Sequence, residues 1–421
     1  MFITRLLNSE GYYFNSLFTL IIVSLLISPA LNSILIGLLT ILSIVKLFIS
    51  SHSSNFYSQK PIVYALYIYS FFLLLHIVSL FYSKDIDEAI SLIVVRVPLL
   101  LIPVIFFINL KLVKIGIIFR LYTYSVVIIG LFTILNSLYS AYLNNITLET
   151  YFNYYVRYFY VSFMPYEMHP TYFGLYLTSS LVILCDFLNK GERVAITMVM
   201  ILIILFNIYL ISSQMTTFSS LIILAFYSFK YLKRRLKNLQ FKAFVLGALL
   251  IIGLVFINRM YFIDSLADNF NTENNANIIN RISHFLNHGD ITREKNWSSA
   301  LSVIKENYLF GVGIGDGVNE MQKFREQNTW IYTAELNAHN QYLEEFVHFG
   351  LVGLVSFIIG LIYLLYFSIG KSISVLLWII LVFSMITESI LNRQVGITFF
   401  SFILCALSYN YITNCGRLKT N

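Results

Sequence analysis

Long apolar runs separated by short polar interruptions repeat from one end of the chain to the other. They are too long for strands or for the buried stripe of a soluble helix. A helix needs about twenty apolar residues to cross the hydrocarbon core, and on that ruler the sequence predicts about twelve spans. The first six are Phe14–Ser28, Leu31–Ile49, Ile62–Phe81, Ala89–Ile108, Ile115–Tyr139 and Thr171–Leu188. The next six are Val194–Ile211, Phe218–Tyr231, Ala243–Phe262, Leu343–Phe367, Ile373–Ile390 and Gly396–Ile412.

The rhythm changes once, between residues 263 and 340. Asn269 to Asn280, with six asparagines, is a polar entry to this stretch. Then Trp297, Ala300, Leu301, Ile304 and Tyr308 recur at three- and four-residue spacing, which predicts one buried face of an amphipathic helix. The run Gly311-Val312-Gly313-Ile314-Gly315-Asp316 ends that helix. The expected organisation is an all-α integral membrane protein of about twelve transmembrane helices with one long, partly helical loop. Residues 1–262 carry the first nine spans, 263–340 the loop, and 341–421 the last three spans and a tail.

Composition agrees: 58% of the residues are hydrophobic and 12% charged, where a soluble domain carries about 25% charged residues. The net charge of +7 does not point to nucleic acid, because the basic residues cluster between apolar runs. Lys111, Lys114, Lys190, Arg193 and the group Lys230, Lys233, Arg234, Arg235, Lys237 and Lys242 mark cytoplasmic loops by the positive-inside rule. Even parity then leaves both termini cytoplasmic. The acidic run Lys84–Glu88, a tyrosine-rich loop from Ser140 to His169 and the long loop are expected on the side of the membrane away from the cytoplasm. Cys185, Cys405 and Cys415 show neither disulfide nor zinc spacing. The first apolar run lacks a small-residue cleavage site and reads as a span rather than a removable signal.

The strongest chemical feature is Ala338-His339-Asn340-Gln341-Tyr342-Leu343-Glu344-Glu345 at the mouth of the tenth span. An imidazole at such a boundary can accept a proton from a hydroxyl while facing a lipid-borne substrate; an interfacial histidine that merely caps a helix fits the spacing equally. Arg281 and Arg293 stand near the start of the amphipathic helix. Guanidinium forks match diphosphate oxygens, although by charge count alone a solvated face pairing with Asp290 or Glu294 is the simpler account. The glycine-rich run lacks the context of a nucleotide loop, so its glycines are expected to allow tight turning and close packing, with Asp316 capping the segment after it. His169, before Pro170, faces the same compartment as His339 in this topology. Arg157 reads as an interfacial anchor or a phosphate ligand. Glu388 and Arg393 flank the eleventh span and could pair with each other. Arg96, inside the fourth span, must face protein, water or headgroups. His284 and His288, four apart, lack the pattern of a metal site.

Taken in order, Arg293 and Trp297, the helix ending in Tyr308-Leu309-Phe310 and the glycine run, His339-Asn340-Gln341-Tyr342-Leu343-Glu344, and Gly350-Leu351-Val352-Gly353-Leu354 resemble the signature of the O-antigen ligase and polymerase family. The specific resemblance covers residues 281 to 357. His169-Pro170-Thr171-Tyr172 and Glu388 through Arg393-Gln394-Val395-Gly396 also look like segments of some members. The resemblance implies transfer of a glycan from undecaprenyl diphosphate to an acceptor hydroxyl, of glycan or lipid A core, at the periplasmic face. It implies inversion at the anomeric carbon and no metal, nucleotide or other cofactor. By matching position His339 would be the base or acceptor-orienting group, and Arg293, with Arg281, would neutralise the diphosphate. His169, Arg157, Asn340, Tyr342, Glu388 and Arg393 would support them. One departure stands out: Gln214 occupies the place after the seventh span where family ligases commonly carry arginine. A polytopic transporter or flippase for a lipid-linked or small polar substrate is the alternative, disfavoured because the polar groups gather in one outer loop rather than at the midplane.

Overall fold

The computed structural model describes residues 2–49, 71–152, 160–166, 168–211, 213–235, 291–328 and 336–414. Among the described residues all regular structure is helical. The helices are α1 Phe2–Ser24, α2 Pro29–Ile49, α3 Ile86–Arg96, α4 Pro98–Ile108, α5 Ile115–Leu143, α6 Pro170–Lys190 and α7 Val194–Ile211. They continue with α8 Gln214–Arg235, α9 Ile291–Glu306, α10 Gly317–Gln327, α11 Gln341–Ser368, α12 Ser372–Thr387 and α13 Gln394–Asn414; residues 71–79 are also helical.

Seven described helical segments are long and apolar enough to cross a membrane, and Gly11–Ser24 and Ser372–Thr387 are shorter apolar helices. The fold is that of a multi-pass membrane protein. The expected span Ala243–Phe262 lies outside the described residues, as do Arg157, Arg281, His284 and His288. Helices α3 and α4 form one span, Ile86–Ile108; the joint is at Val97, which keeps helical angles, and Pro98 takes the first-turn position where its missing N–H costs nothing.

The chain divides into two compact units, Tyr122–Asp290 and the remainder. In the Tyr122–Asp290 unit, α6 packs on α7 and α8 and is buried along most of its length, hydroxyls of Thr178, Ser179 and Ser180 included. The Tyr122 hydroxyl pairs with Ser179 Oγ at 2.8 Å. Small residues set the helix spacing: a side chain at Gly174 would strike Thr216, and one at Gly130 would strike Asn207. His169 holds the N-cap position of α6 without a side-chain cap bond, ahead of Pro170 in its first turn.

The other unit joins α1 to α4, the start of α5, and α9 to α13. Helix α13 lies on α4, α11 and α12, while α9 packs on α10 and α11. Ala300, Val303, Ile304, Met321, Ala338 and Val347 form the shared apolar cluster of α9, α10 and α11. The buried face of α9 therefore differs from the expected one. Asn296, Ser299, Ala300, Val303 and Ile304 point inward, whereas Leu301 and Tyr308 are 48% and 50% exposed. An apolar stripe can face lipid as favourably as protein, so its phase alone does not say which side packs.

Helix α11 is broken at Gly350, where φ is 62° and ψ −156°. The break frees main-chain groups that the glycine run and Tyr308 satisfy: Val312 N donates to Val347 O at 2.9 Å, Gly313 N to His348 O at 3.0 Å, and Leu351 N to Tyr308 O at 2.9 Å. That close approach explains the glycines. A Cβ at Gly311 would enter the Val347–His348 backbone, and one at Gly315 would strike Asp85 O. Asp316 makes no side-chain cap on α10, contrary to the expectation. Its carboxylate instead accepts the N–H groups of Lys84 at 2.7 Å and Asp85 at 3.0 Å, holding the start of α3 against the loop.

Candidate functional site

Asn340 caps α11, its Oδ1 accepting from Tyr342 N at 2.9 Å and Leu343 N at 3.1 Å. The residue before it, His339, has φ +47°, a left-handed conformation that side chains other than glycine seldom adopt. Its N–H donates to Asn337 Oδ1 at 3.0 Å. The turn is fixed on both flanks: Ala338 is buried in the α9–α11 cluster, and buried Arg325 donates to Leu336 O at 2.6 Å. The histidine is thus presented on a strained but well-anchored turn, with its side chain 26% exposed.

The Glu388 carboxylate lies 3.5 Å from His339 Nδ1, and its own side chain is 4% exposed. Glu388 closes α12 and precedes the short turn Ile390–Asn392 that leads into α13. A buried carboxylate at this distance is placed to fix the imidazole's orientation through Nδ1. Tyr342 donates its hydroxyl to Val382 O at 3.1 Å, pinning the first turn of α11 to α12. Arg393 is exposed on the same connecting segment. Gln394 fastens that segment to α2 through Asn32 and Ser33, at 2.8 and 2.9 Å.

Beneath the histidine lies a buried polar network that the sequence motif hints at only through its paired acids. Glu344 accepts from Ala338 N at 2.9 Å, Ser389 Oγ at 3.2 Å and Asn392 Nδ2 at 2.7 Å. Glu345 meets Arg96 Nη1 at 3.5 Å, with both side chains essentially inaccessible, and accepts from Gln341 at 2.6 Å. Arg96 also donates to Leu391 O at 3.1 Å and Asn392 Oδ1 at 2.6 Å, and it contacts His76 Nε2. Arg96 is thus the internal counter-charge of the α11 acids, and it binds the end of α3 to the Ile390–Asn392 turn. Removing one partner of such a pair leaves an uncompensated charge inside the protein. His348, one turn beyond Glu344, stands 3.5 Å from its Oε1.

His339, Asn340, Tyr342 and Glu388 are therefore brought together. Arg293 sits in the first turn of α9, partly buried, seven residues and so about two turns before Ala300 on the same face. His169 belongs to the Tyr122–Asp290 unit. Ser389 and Asn392 escape sequence reasoning as contributors to the site, and Gln341, Glu344 and Glu345 enter it only as part of the His339 motif, without a role. The signal for Arg96 and the two glutamates is the presence of ionisable residues of both signs inside otherwise apolar spans.

No curated protein sequence matches the chain. Residues 199–358, from α7 to the lower part of α11 and including Arg293 and His339, match the family model described as O-antigen ligase, a likeness that supports the O-antigen ligase family.

Proposed function

We propose that the chain transfers a glycan from undecaprenyl diphosphate to an acceptor hydroxyl at the periplasmic face of the inner membrane. The observation that carries this reading is the pairing of Glu388 with His339 at 3.5 Å, at the head of an apolar helix. In it, Glu388 accepts from Nδ1–H, so that Nε2 carries the lone pair and takes the proton of the acceptor hydroxyl. The deprotonated oxygen attacks the anomeric carbon, the bond to the diphosphate oxygen breaks with inversion, and polyprenyl diphosphate leaves. Arg293, with Arg281, neutralises the diphosphate in place of a metal ion, since planar paired donors match its oxygens at any working pH.

In this reading His339→Ala and Arg293→Ala each abolish glycan transfer while protein abundance stays near normal. Wild-type transfer by either variant would overturn the residue assignment. The envelope glycans of a deletion strain separate the two forms of the reaction: loss of all capped lipid A indicates a ligase, and loss of long chains with single units retained indicates a polymerase.

A further inference from the structure

Glu344 touches neither the exposed face of His339 nor any solvent, yet it ties together the two segments that present the His339–Glu388 pair. One of its oxygens accepts from Ala338 N, the residue before His339, and from Ser389 Oγ, the residue after Glu388. Ser389 Oγ in turn accepts from Asn340 N at 3.2 Å, on the other side of the histidine. The second oxygen accepts from Asn392 Nδ2. The Asn392 amide cannot be turned over without loss, because its oxygen receives Arg96 Nη2. The direction of each bond is therefore dictated from Arg96 outward: guanidinium donor, amide oxygen, amide N–H, carboxylate, and then the main chain of the His339 turn.

We propose that Glu344 is a positioning residue that sets the distance between His339 and Glu388, a role that rests on the transfer reaction proposed above for its consequence in rate. Glu344→Gln puts an N–H against Asn392 or against the Ala338 and Ser389 donors, whichever way its amide turns. Asn392→Asp sets two carboxylates face to face. Exchanging both restores every bond. The glutamine oxygen then receives Ala338 and Ser389, and its N–H donates to one oxygen of the carboxylate introduced at position 392, whose other oxygen receives Arg96. Charge in the network is conserved in the exchange.

The test uses the full-length protein in lipid nanodiscs and has two arms. In the first, hydrogen exchange of the amides from Leu336 to Glu345 is followed by mass spectrometry. Glu344→Gln and Asn392→Asp are each expected to accelerate exchange at Ala338 about tenfold, the loss of one buried hydrogen bond, and the double variant to return within about twofold of wild type. Unchanged exchange in Glu344→Gln, or a double variant no slower than the single ones, overturns the proposal. In the second arm, transfer from a lipid-linked glycan is expected to fall about tenfold to a hundredfold in kcat in each single variant. The donor KM is expected to change little, and the double variant to recover. Full kcat in Glu344→Gln likewise overturns the proposal. Absence of transfer by the wild-type protein, with the exchange pattern intact, counts against the glycan-transfer reading and leaves the anchoring role of Glu344 standing on the first arm.

Discussion

The two halves of α11 obey opposite rules. Before Gly350 the helix buries Gln341, Glu344, Glu345 and His348; after it, Val352, Val355, Ile358, Ile359, Ile362 and Tyr366 are exposed. In water this would be an inverted protein. In a bilayer it is the expected partition, because acyl chains welcome apolar side chains while charged ones must find partners inside the protein. The upper half is accordingly held by specific, directional bonds, and the lower half by shape and by the solvent it faces.

Substitutions that strike one half should expose this difference. The largest effect is expected from Arg96→Ala, which strands Glu345 without its counter-charge and should lower stability by about 3–5 kcal/mol, read as a fall in the thermal unfolding midpoint of the purified protein. Gly350→Ala comes next. It places a side chain at φ 62° against the Leu309–Phe310 backbone and should cost about 1–3 kcal/mol, measured by denaturant unfolding. Glu388→Gln should slow transfer about tenfold by loosening the imidazole's orientation while leaving the unfolding midpoint in place, a split visible only when rate and stability are measured on one preparation. Ile359→Ala, at a 52% exposed position of the lower half, should change stability by less than about 0.5 kcal/mol. A loss comparable to that of Gly350→Ala would show the lower half to be packed against protein after all.

The length of an apolar run locates a helix best where polar residues bound it on both sides: α7 spans Val194–Ile211, the limits its hydropathy predicts, whereas the expected span Phe218–Tyr231 lies inside the longer α8, which is not among the seven helices apolar enough to cross a membrane. The place of His339 just ahead of α11 is legible because an ionisable residue at the mouth of an apolar run stands out. The network beneath it is not, since Arg96 and Asn392 stand 296 residues apart in sequence, and no local spacing encodes their meeting. Arg96 alone declares that it needs a partner, without saying which. The phase of α9 escapes for a different reason. Asn296 and Ser299 face inward and Leu301 outward, so the polarity rule that orients a soluble helix fails where apolar surface has two favourable surroundings.

The main-chain bonds between Tyr308–Gly313 and the break at Gly350 make the loop after α9 and helix α11 a single mechanical piece. Residues 308 to 313 cannot swing as a hinged cover without breaking three main-chain hydrogen bonds to the helix. Any displacement of residues 308 to 313 must therefore be passed directly to α11 at its break.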